Sequence, residues 1–377
     1  MNAVLQCILA LDVIGDSIKK AAYDFEVTLT PFCNAYNKIL FISEKNQLKS
    51  WILPQTLQKL VHQKFQPILQ HDAHEFLIFF LTQLSEEIQK INKIKTSKDE
   101  DQQVQIRAAE DEAISEIEGD ILLDDIEISI PNERMENLEE DCESSKELQT
   151  QQKWDSYKER NNSFIDHLFT GMFKSIVKCS KCKNKSCTYD PFMVLSIPAL
   201  YSSINQSLEH FLKEENLSNY FCTKCKKETK SATLKVQIAK FPKILVIHLK
   251  RFQQYPFMKK IRGYQRYPLR IDISDYTHQK SYSKQQNFQS PDSFTDNQRK
   301  NENKKEIDNG NIYELSGIVV HWGTLEHGHY IAVVKKQQNG QNKWYYCNDR
   351  NVGECEEKLA LSQEAYLLIY TQVKTSN

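Results

Sequence analysis

The sequence has no apolar run of transmembrane length and almost no net charge. It contains 49 Lys and Arg against 50 Asp and Glu, a net charge of −1. Because a membrane-crossing helix needs about 20 consecutive apolar residues, we expect no membrane contact. A near-neutral chain also lacks the positive charge with which a general nucleic-acid-binding protein neutralises phosphates, so nucleic acid is not expected among its partners.

The sequence also shows no sign of a secretory leader. Residues 1–14 are mildly apolar but contain no basic residue, whereas a secretory signal begins with a basic segment. This stretch therefore predicts a helix. The ten cysteines of the chain then indicate a reducing compartment, the cytoplasm, the nucleus or both. In such a compartment we expect metal-binding or catalytic thiols and no disulfides.

Two stretches are too polar to build a core. From Asp99 to Glu147 there are 19 acidic residues against 3 basic ones and no aromatic residue. Residues 275–311 are rich in Gln, Asn, Ser and Lys and poor in aliphatic side chains. Because such segments bury too little apolar surface to order themselves, we predict disordered insertions over residues 96–160 and 275–311. The acidic insertion is predicted to be a solvated linker. The alternative interpretation is that basic partner proteins dock on it.

Two Cys-x-x-Cys pairs indicate a metal site. Cys179 and Cys182 form the first pair, and Cys222 and Cys225 follow after 39 intervening residues. Four thiolates complete a tetrahedron around Zn²⁺ and fill its coordination sphere. The spacing therefore predicts one structural zinc ion with no catalytic role. Four unrelated thiols are the alternative interpretation, and Cys187 is a further cysteine nearby.

A candidate catalytic base lies near the end of the sequence. Leu315–His321 carries a β-branched run that is typical of a strand, and His329 opens a second strand. A third apolar piece is followed by Asn348 and Asp349. If the second and third pieces pair as a hairpin, His329 lies close to these two residues, as the base and its orienting group do in a nucleophilic triad. Taken alone, a merely polar histidine at a strand end is the simpler interpretation.

Two apolar segments predict core elements. Residues 70–91 carry apolar side chains at helical spacing, and Asp72 with Glu75 three residues later predicts a capping box at the start of this helix. The segment Ala239–Phe252 contains a continuous apolar run, which predicts a strand buried on both faces. His248 in this strand is therefore predicted to be a core histidine without a catalytic role.

Four segments resemble, in order, the motifs of the ubiquitin-specific protease family. Residues 1–9, MNAVLQCIL, resemble the end of its Cys box, G-N-T-C-Y-M-N-x-V-L-Q-x-L. Residues 70–76, QHDAHEF, resemble its Q-Q-D-A-H-E-F box, and the paired Cys-x-x-Cys motifs resemble its zinc-bearing fingers. Three further segments resemble its His box: residues 321–325 (HWGTL), 328–330 (GHY) and 344–349 (WYYCND).

The resemblance implies a role for each matching residue. His329 is the expected general base, and Asn348, in place of the usual Asp, is expected to orient it with Asp349 as a neighbour. The nucleophilic cysteine is expected two positions upstream of Met1, and Cys7 is expected to be a buried structural thiol. The residues expected to bind ubiquitin are Gln70, Asp72, Glu75 and Tyr330. Of these, Asp72 and Glu75 are expected to contact its C-terminal tail, with their capping role as the competing explanation.

The fold implied by the resemblance belongs to the α+β class. It is the papain-like cysteine protease fold with a helical thumb, zinc-ribbon fingers and an antiparallel β palm. A single catalytic domain is expected over residues 1–377, with the thumb over residues 1–95, fingers and palm over 161–274, and the palm with the His box over 312–377.

The implied activity is thiol-dependent hydrolysis of the bond that follows the C-terminal Gly-Gly of ubiquitin. Ubiquitin and ubiquitinated proteins are the expected partners. The chain also resembles the subgroup of this family that WD40-repeat proteins activate, so a WD40-repeat protein is an expected activator. The alternative is an inactive pseudoprotease that binds ubiquitin. A zinc-ribbon nucleic-acid binder is a third class, against which the net charge and the lack of a basic, aromatic face argue.

Overall fold

A computed structural model describes residues 1–23, 32–33, 35, 55–62, 64–66, 69–93, 143–253, 259–276, 312–324, 327–338 and 340–373. By their contacts the residues form two compact units, Met1–Glu87 with Phe164–Asn377 and, separately, Ile88–Ser163. In the ranges just given, no helix is both long and apolar enough to cross a membrane.

The helices have the following bounds: α1 (Asn2–Leu9), α2 (Asp12–Tyr23), α3 (Gln55–Val61), α4 (73–93), α5 (Glu143–Arg160), α6 (Phe164–Phe169), α7 (Ile204–Phe211) and α8 (Glu357–Leu361). Residues 1–14 thus belong to two helices where the sequence predicted one. Asp12 begins the second helix, in keeping with the preference of acidic side chains for helix starts. Buried side chains cover α1 from Ala3 to Leu9, so this helix is enclosed by the fold.

The strands have the following bounds: β1 (Gly171–Cys179), β2 (Lys185–Phe192), β3 (Leu195–Pro198), β4 (Glu215–Leu217), β5 (Tyr220–Cys222), β6 (Lys227–Thr229), β7 (Ala232–Lys240), β8 (Ile244–Lys250), β9 (Phe252–Gln253), β10 (Lys259–Lys260), β11 (Arg270–Asp272), β12 (Ile312–Gly323), β13 (Gly328–Gln338), β14 (Gln341–Asn348), β15 (Asn351–Cys355) and β16 (Ala365–Gln372).

The largest sheet has the order β15-β14-β13-β12-β16-β8-β3, and β11 pairs with β12. Its pairs are antiparallel except β3 with β8. One face of β12 and β13 supplies buried residues such as Ile318, Val320 and Ile331 to the main core. The other face lies under α1, where the Cys7 Sγ packs 3.2 Å from the position a Cβ would take on Gly317. Because both faces are covered, these strands can hold polar side chains firmly at their ends.

The strand β8 confirms the predicted burial but is shorter than the predicted segment Ala239–Phe252. Its residues Ile244–Ile247 are all buried, as expected for a strand covered on both faces. The preceding residues to Lys240 belong to β7, and Pro242 lies between the two strands. Proline has no N–H group for a sheet ladder, which explains the break.

A second sheet with the order β2-β1-β7-β4 forms the region expected to be the fingers. In it β1 is paired on both sides, with β2 and with β7. The hairpin β5–β6 lies between β4 and β7 in sequence. Both cysteine pairs are carried by the ends of these strands, because Cys179 closes β1 and Cys222 closes β5.

Part of the predicted acidic insertion is ordered. The sequence predicted disorder over residues 96–160, but α5 covers Glu143–Arg160. Trp154 and Tyr157 stack with ring centroids 5.6 Å apart, and Lys158 forms a 2.8 Å ion pair with Asp155. Such pairs three residues apart stabilise a polar helix, and the prediction overlooked them. Residues 94–142 and 277–311 lie outside the described part of the chain, so disorder there stays a prediction, as do the domain boundaries.

Candidate active site and metal centre

The His box forms around two adjoining hairpins. His329 lies opposite Trp322 in the β12–β13 pairing. The predicted hairpin of β13 with β14 is confirmed, with Ala332 opposite Cys347. These pairings bring the start of β13 beside the end of β14, where the Nε2 atom of His329 lies 2.7 Å from Oδ1 of Asn348. Since an amide oxygen only accepts hydrogen bonds, Nε2 is the donor of this contact, and in the neutral ring Nδ1 is the acceptor.

Asp349 has a different set of contacts. Its Oδ2 atom lies 3.8 Å from Nε2 of His329, which is too long for a hydrogen bond. Its Oδ1 atom accepts a 2.6 Å hydrogen bond from Nδ2 of Asn2, and its carbonyl oxygen accepts one of 3.1 Å from Nε2 of Gln6. The residue has a left-handed backbone with φ of 48°. Asp349 thus anchors the end of β14 to α1, and Asn348 is the residue that holds the imidazole.

The contacts of Asn2 and Gln6 were not predicted from the sequence. Both residues lie in the segment that resembles the Cys box, but nothing in their spacing points to a partner more than 340 positions away. The signal was the resemblance itself, because the family pattern has Asn and Gln at these positions. Their effect is to join the first helix to the end of β14, beside His329.

A cavity of about 320 Å³ opens beside His329. The protein groups around it come from Met1 and α1, from α3, from the segment before α4, from the strand β13 and from Asp349, directly after β14. Its lining residues are Met1, Asn2, Gln58, Val61, Phe65, Leu69, Gln70, His71, Gly328, His329, Tyr330 and Asp349. No cysteine is among these lining residues. Of the side chains predicted to contact ubiquitin, Gln70 and Tyr330 line this cavity.

Cys7 lies in the core rather than in the cavity. It is 1% exposed, and its Sγ lies 3.7 Å from the carbonyl oxygen of Ile318. Burial raises the pKa of the Cys7 thiol well above its ordinary value, which disfavours the thiolate needed for attack. This agrees with the predicted structural role.

Asp72 is fixed by hydrogen bonds at the start of α4. Its Oδ1 atom accepts from the backbone N–H groups of His74 and Glu75 at 2.7 and 3.2 Å, so the Asp72 half of the predicted capping box is confirmed. Its Oδ2 atom accepts a hydrogen bond from the hydroxyl of Tyr366 on β16. Asp72 thereby ties α4 to the main sheet. Gln70 and Glu75 are exposed, whereas Asp72 and Tyr330 are half-buried.

Two further histidines near this region pack against the core, His321 buried and His248 half-buried. His248 approaches the hydroxyl of Ser196 at 3.0 Å with Nδ1 and stacks on His74 with ring centroids 4.0 Å apart. Burial lowers the pKa of His248 to about 3, so the ring is neutral near pH 7. The predicted core role of His248 is confirmed. Burial also lowers the pKa of His321 to about 4.

The turn before His329 is held by backbone and side-chain contacts. Nζ of Lys260 donates to the carbonyl oxygens of His321 and Gly323 at 2.7 and 3.1 Å. Gly323 has a φ of +97°, a left-handed backbone conformation that favours glycine. A Cβ on Gly328 would overlap Nε2 of His321 and lie 2.8 Å from the carbonyl oxygen of Trp322. The two glycines therefore allow the tight turn that delivers His329.

The four predicted metal ligands come together at the tip of the finger strands. The sulfur atoms of Cys179, Cys182, Cys222 and Cys225 all lie within 4.8 Å of one another, and those of Cys182 and Cys222 are 3.6 Å apart. A tetrahedral Zn²⁺ with Zn–S bonds of ~2.3 Å needs sulfur atoms ~3.8 Å apart. The cluster could therefore hold a metal ion.

The backbone around the cluster also suits a metal site. Lys183 and Lys226, each directly after the second cysteine of a pair, have φ of 60° and 52°. The turn lets the N–H of Cys225 approach the Sγ of Cys222 at 3.5 Å. A hydrogen bond from the backbone of Cys182 lowers the pKa of Cys179, whereas the hydrogen bond with the Cys182 side chain raises the pKa of Cys225.

The sequence and this geometry were compared with known proteins. The sequence model of the family described as "Ubiquitin carboxyl-terminal hydrolase" matches residues 1–370. The chain belongs to this family. It is 30% identical over 238 residues to ubiquitin carboxyl-terminal hydrolase 2 of Gallus gallus, over 60% of this chain and 58% of the relative. It is 27% identical over 394 residues to ubiquitin carboxyl-terminal hydrolase 4 of Saccharomyces cerevisiae (strain YJM789), over 99% of this chain but 38% of the relative.

Solved structures show the same fold. A yeast SAGA DUBm with an Sgf73 mutant matches with a TM-score of 0.64 at 23% identity, over 100% of this chain and 66% of that chain. The SAGA Ubp8/Sgf11/Sus1/Sgf73 DUB module bound to ubiquitin aldehyde gives a TM-score of 0.60 at 22% identity, over 100% of this chain and 68% of that chain. The α+β ubiquitin-specific protease fold expected from the sequence is thus confirmed.

Proposed function

We propose that this chain supplies the base and the binding cleft of a ubiquitin carboxyl-terminal hydrolase. The substrates are proteins joined to ubiquitin through its C-terminal Gly-Gly. Membership of the family supports the reaction class. The observation that carries the assignment of roles is the 2.7 Å contact between Nε2 of His329 and Oδ1 of Asn348 beside an open cavity. An imidazole fixed in this way presents a basic Nδ1 to a neighbouring thiol.

The mechanism follows from this arrangement. A cysteine thiol gives its proton to Nδ1 of His329, and the sulfur attacks the carbonyl carbon of the terminal glycine. The protonated His329 then gives that proton to the leaving lysine amine, which frees the conjugated protein and leaves a thioester. Water, deprotonated by His329, hydrolyses the thioester and regenerates the thiol. Asn348 holds the ring orientation through each step, but as a neutral amide it does not offset the charge of the imidazolium.

The nucleophile is proposed to lie upstream of Met1, where the Cys-box resemblance places it. The test is to read the coding sequence upstream for an in-frame Asn-Thr-Cys-Tyr and to express the extended protein. Hydrolysis of a fluorogenic ubiquitin C-terminal substrate is then expected. An in-frame stop codon directly before Met1, together with ubiquitin binding without turnover, would favour the alternative of an inactive pseudoprotease.

Substitution of the proposed base tests the role of His329 directly. In the extended protein, His329→Ala is expected to lower kcat by about 10²–10⁴-fold, the usual worth of a general base. Asn348→Ala is expected to lower kcat less, because the ring remains but loses its fixed orientation. His210→Ala, an exposed histidine on α7 outside the cavity, is the matched control and is expected to leave the rate unchanged. An unchanged rate in His329→Ala would remove the proposed base.

The cofactor and the partners complete the proposal. The four-cysteine cluster is proposed to hold one structural Zn²⁺. Ubiquitin is proposed to contact the exposed Gln70 and Glu75 together with Asp72 and Tyr330.

A WD40-repeat protein is proposed as an activator. Addition of such a protein to the purified extended enzyme is expected to raise kcat on the fluorogenic substrate. A rate that does not change, with binding verified by size-exclusion chromatography, counts against activation.

A further inference from the structure

The tip of the finger strands carries an unusual density of lysine. We define the lysine tip as residues 178–185 and 222–230, the two stretches that contain the four clustered cysteines. Of these 17 residues, eight are lysine and one, Glu228, is acidic. All of the lysines are exposed: Lys178, Lys181, Lys183, Lys185, Lys224, Lys226, Lys227 and Lys230. The tip is therefore a compact cationic surface.

The metal site does not account for this charge. A Zn²⁺ ion with four thiolates has a net charge of −2, and with Glu228 included the lysines leave an excess of about +5. Like charges held this close repel one another, and a bound polyanion would relieve this repulsion. The whole-chain charge of −1 hides this excess, because Asp99–Glu147 holds 19 acidic residues against 3 basic ones. The argument from net charge therefore does not apply to the tip, and the sequence-based expectation that the chain lacks a basic, aromatic face does not hold there, since exposed lysines lie beside the exposed Phe221.

The kind of side chain indicates the kind of polyanion. The lysine tip contains no arginine, and it is arginine that most often reads base edges through its planar fork, whereas lysine acts as a point charge towards phosphate. Phe221, directly before the tip's second stretch, is 58% exposed. It lies opposite Glu228 in the β5–β6 pairing. Lysines together with an exposed aromatic ring are the combination that binds single strands, by phosphate contact and base stacking.

We propose that the lysine tip binds single-stranded nucleic acid through its phosphates, without sequence preference, while the ring of Phe221 stacks on a base. An acidic protein segment would use the lysines but has no base to place on Phe221. A duplex would use the phosphate contacts alone, since its bases are already stacked. The proposal is independent of the hydrolase activity, which belongs to the cavity beside His329.

The test measures binding of the full chain to a fluorescein-labelled 12-nucleotide single strand of mixed sequence by fluorescence anisotropy. Titrations between 50 and 200 mM salt are expected to show affinity falling steeply with salt, because bound phosphates release counterions. Lys181→Gln/Lys224→Gln removes one charge from each turn and is expected to reduce the slope of log K against log salt by about 1.4, or ~0.7 per lysine. These two positions avoid Lys183 and Lys226, whose positive φ is part of the turns.

Three comparisons make the test decisive. The control Lys243→Gln/Lys358→Gln removes two exposed lysines from outside the tip and is expected to leave the slope unchanged, with equal melting temperatures showing that both variants fold. Phe221→Ala is expected to weaken single-strand binding about tenfold and to leave binding to the matching duplex unchanged. Polyglutamate of equal charge is expected to bind at least tenfold more weakly than the single strand. The proposal is overturned by equal slopes in the tip and control variants, by polyglutamate binding as tightly, or by a Phe221→Ala variant with full affinity.

Discussion

The two clusters of chemically capable side chains are built in opposite ways. At the finger tip, each pair of cysteines is three residues apart within one turn, and the residue after each pair has a positive φ. At the His329 site, the orienting Asn348 is 19 residues away, and Asp349 is anchored by Asn2, which is 347 positions away. The first cluster is formed by local turns whose four cysteines could hold a metal ion, whereas the second depends on the pairing of distant strands and helices. We therefore expect metal removal to disrupt the first cluster, and changes in the packing of distant strands and helices to disrupt the second.

The largest effect is expected from removal of the metal. Structural zinc contributes folding free energy on the order of 10 kcal/mol in small domains, and the tip has little other core, since β5 and β6 are three residues each. Cys182→Ser is therefore expected to abolish zinc binding and to make the tip sensitive to proteolysis. The core around His329 should persist, because it does not use the metal. Metal analysis and limited proteolysis with mass spectrometry measure the two effects.

Cys187→Ser provides the matched control for the zinc ligand. Cys187 lies on β2 close to the cluster in sequence, but its side chain is exposed and not part of the cluster. The control is expected to keep about one zinc per chain. Zinc content that is well below one in the parent protein, or that does not change in Cys182→Ser, would contradict a zinc site at the four cysteines.

The same contrast explains what the sequence could predict. The four cysteines were recognisable from spacing alone, because local turns determine how Cys-x-x-Cys pairs present their sulfur atoms. The closeness of His329 to Asn348 and Asp349 followed from strand patterns, since a hairpin of the second and third pieces places their ends together, whereas the choice of Asn348 as the orienting residue came from the resemblance. By contrast, the hydrogen bonds from Asn2, Gln6 and Lys260 to backbone or carboxylate oxygens were not predictable. They depend on how distant elements pack, which hydrophobic periodicity does not encode.

A smaller effect is expected from a single methyl group next to the base. Gly328→Ala places a Cβ against Nε2 of His321 and 2.8 Å from the carbonyl oxygen of Trp322. Because one of these neighbours is backbone, the turn itself must shift, and overpacking of this kind costs about 1–3 kcal/mol. We expect a lower melting temperature and, in the extended enzyme, a lower kcat, because His329 follows directly in the chain.

Gly353→Ala tests whether the effect of Gly328→Ala is specific to its position. Gly353 lies on β15, has no positive φ, and a Cβ there meets nothing within 4 Å. The control is expected to retain stability and rate, and neither glycine variant is expected to change zinc content. Equal melting temperatures in the two variants would show that the turn at Gly328 accommodates a side chain and would contradict the tight packing against His321.

Acid should weaken the long-range core before it changes the local turns, and His248 is the group that allows a quantitative test. Burial lowers its pKa from 6.5 to about 3. The unfolded chain takes up a proton below pH 6.5 while the folded protein does not, so stability is present above this pH and is lost as pH falls towards 3. Between pH 7 and pH 5 the expected loss from this residue is on the order of 2 kcal/mol.

The variant His248→Gln removes the titrating ring but keeps a polar side chain that can reach the hydroxyl of Ser196. Its free energy of unfolding, measured by urea denaturation at pH 7 and pH 5, is expected to start lower but to fall by about 2 kcal/mol less than that of the parent. His210→Gln, at an exposed position, should retain the parental dependence on pH. If His248→Gln loses as much stability as the parent, the ring is not buried as a neutral group between Ser196 and His74. The acid sensitivity would then have to come from other groups of the core, such as His321, whose pKa burial also lowers.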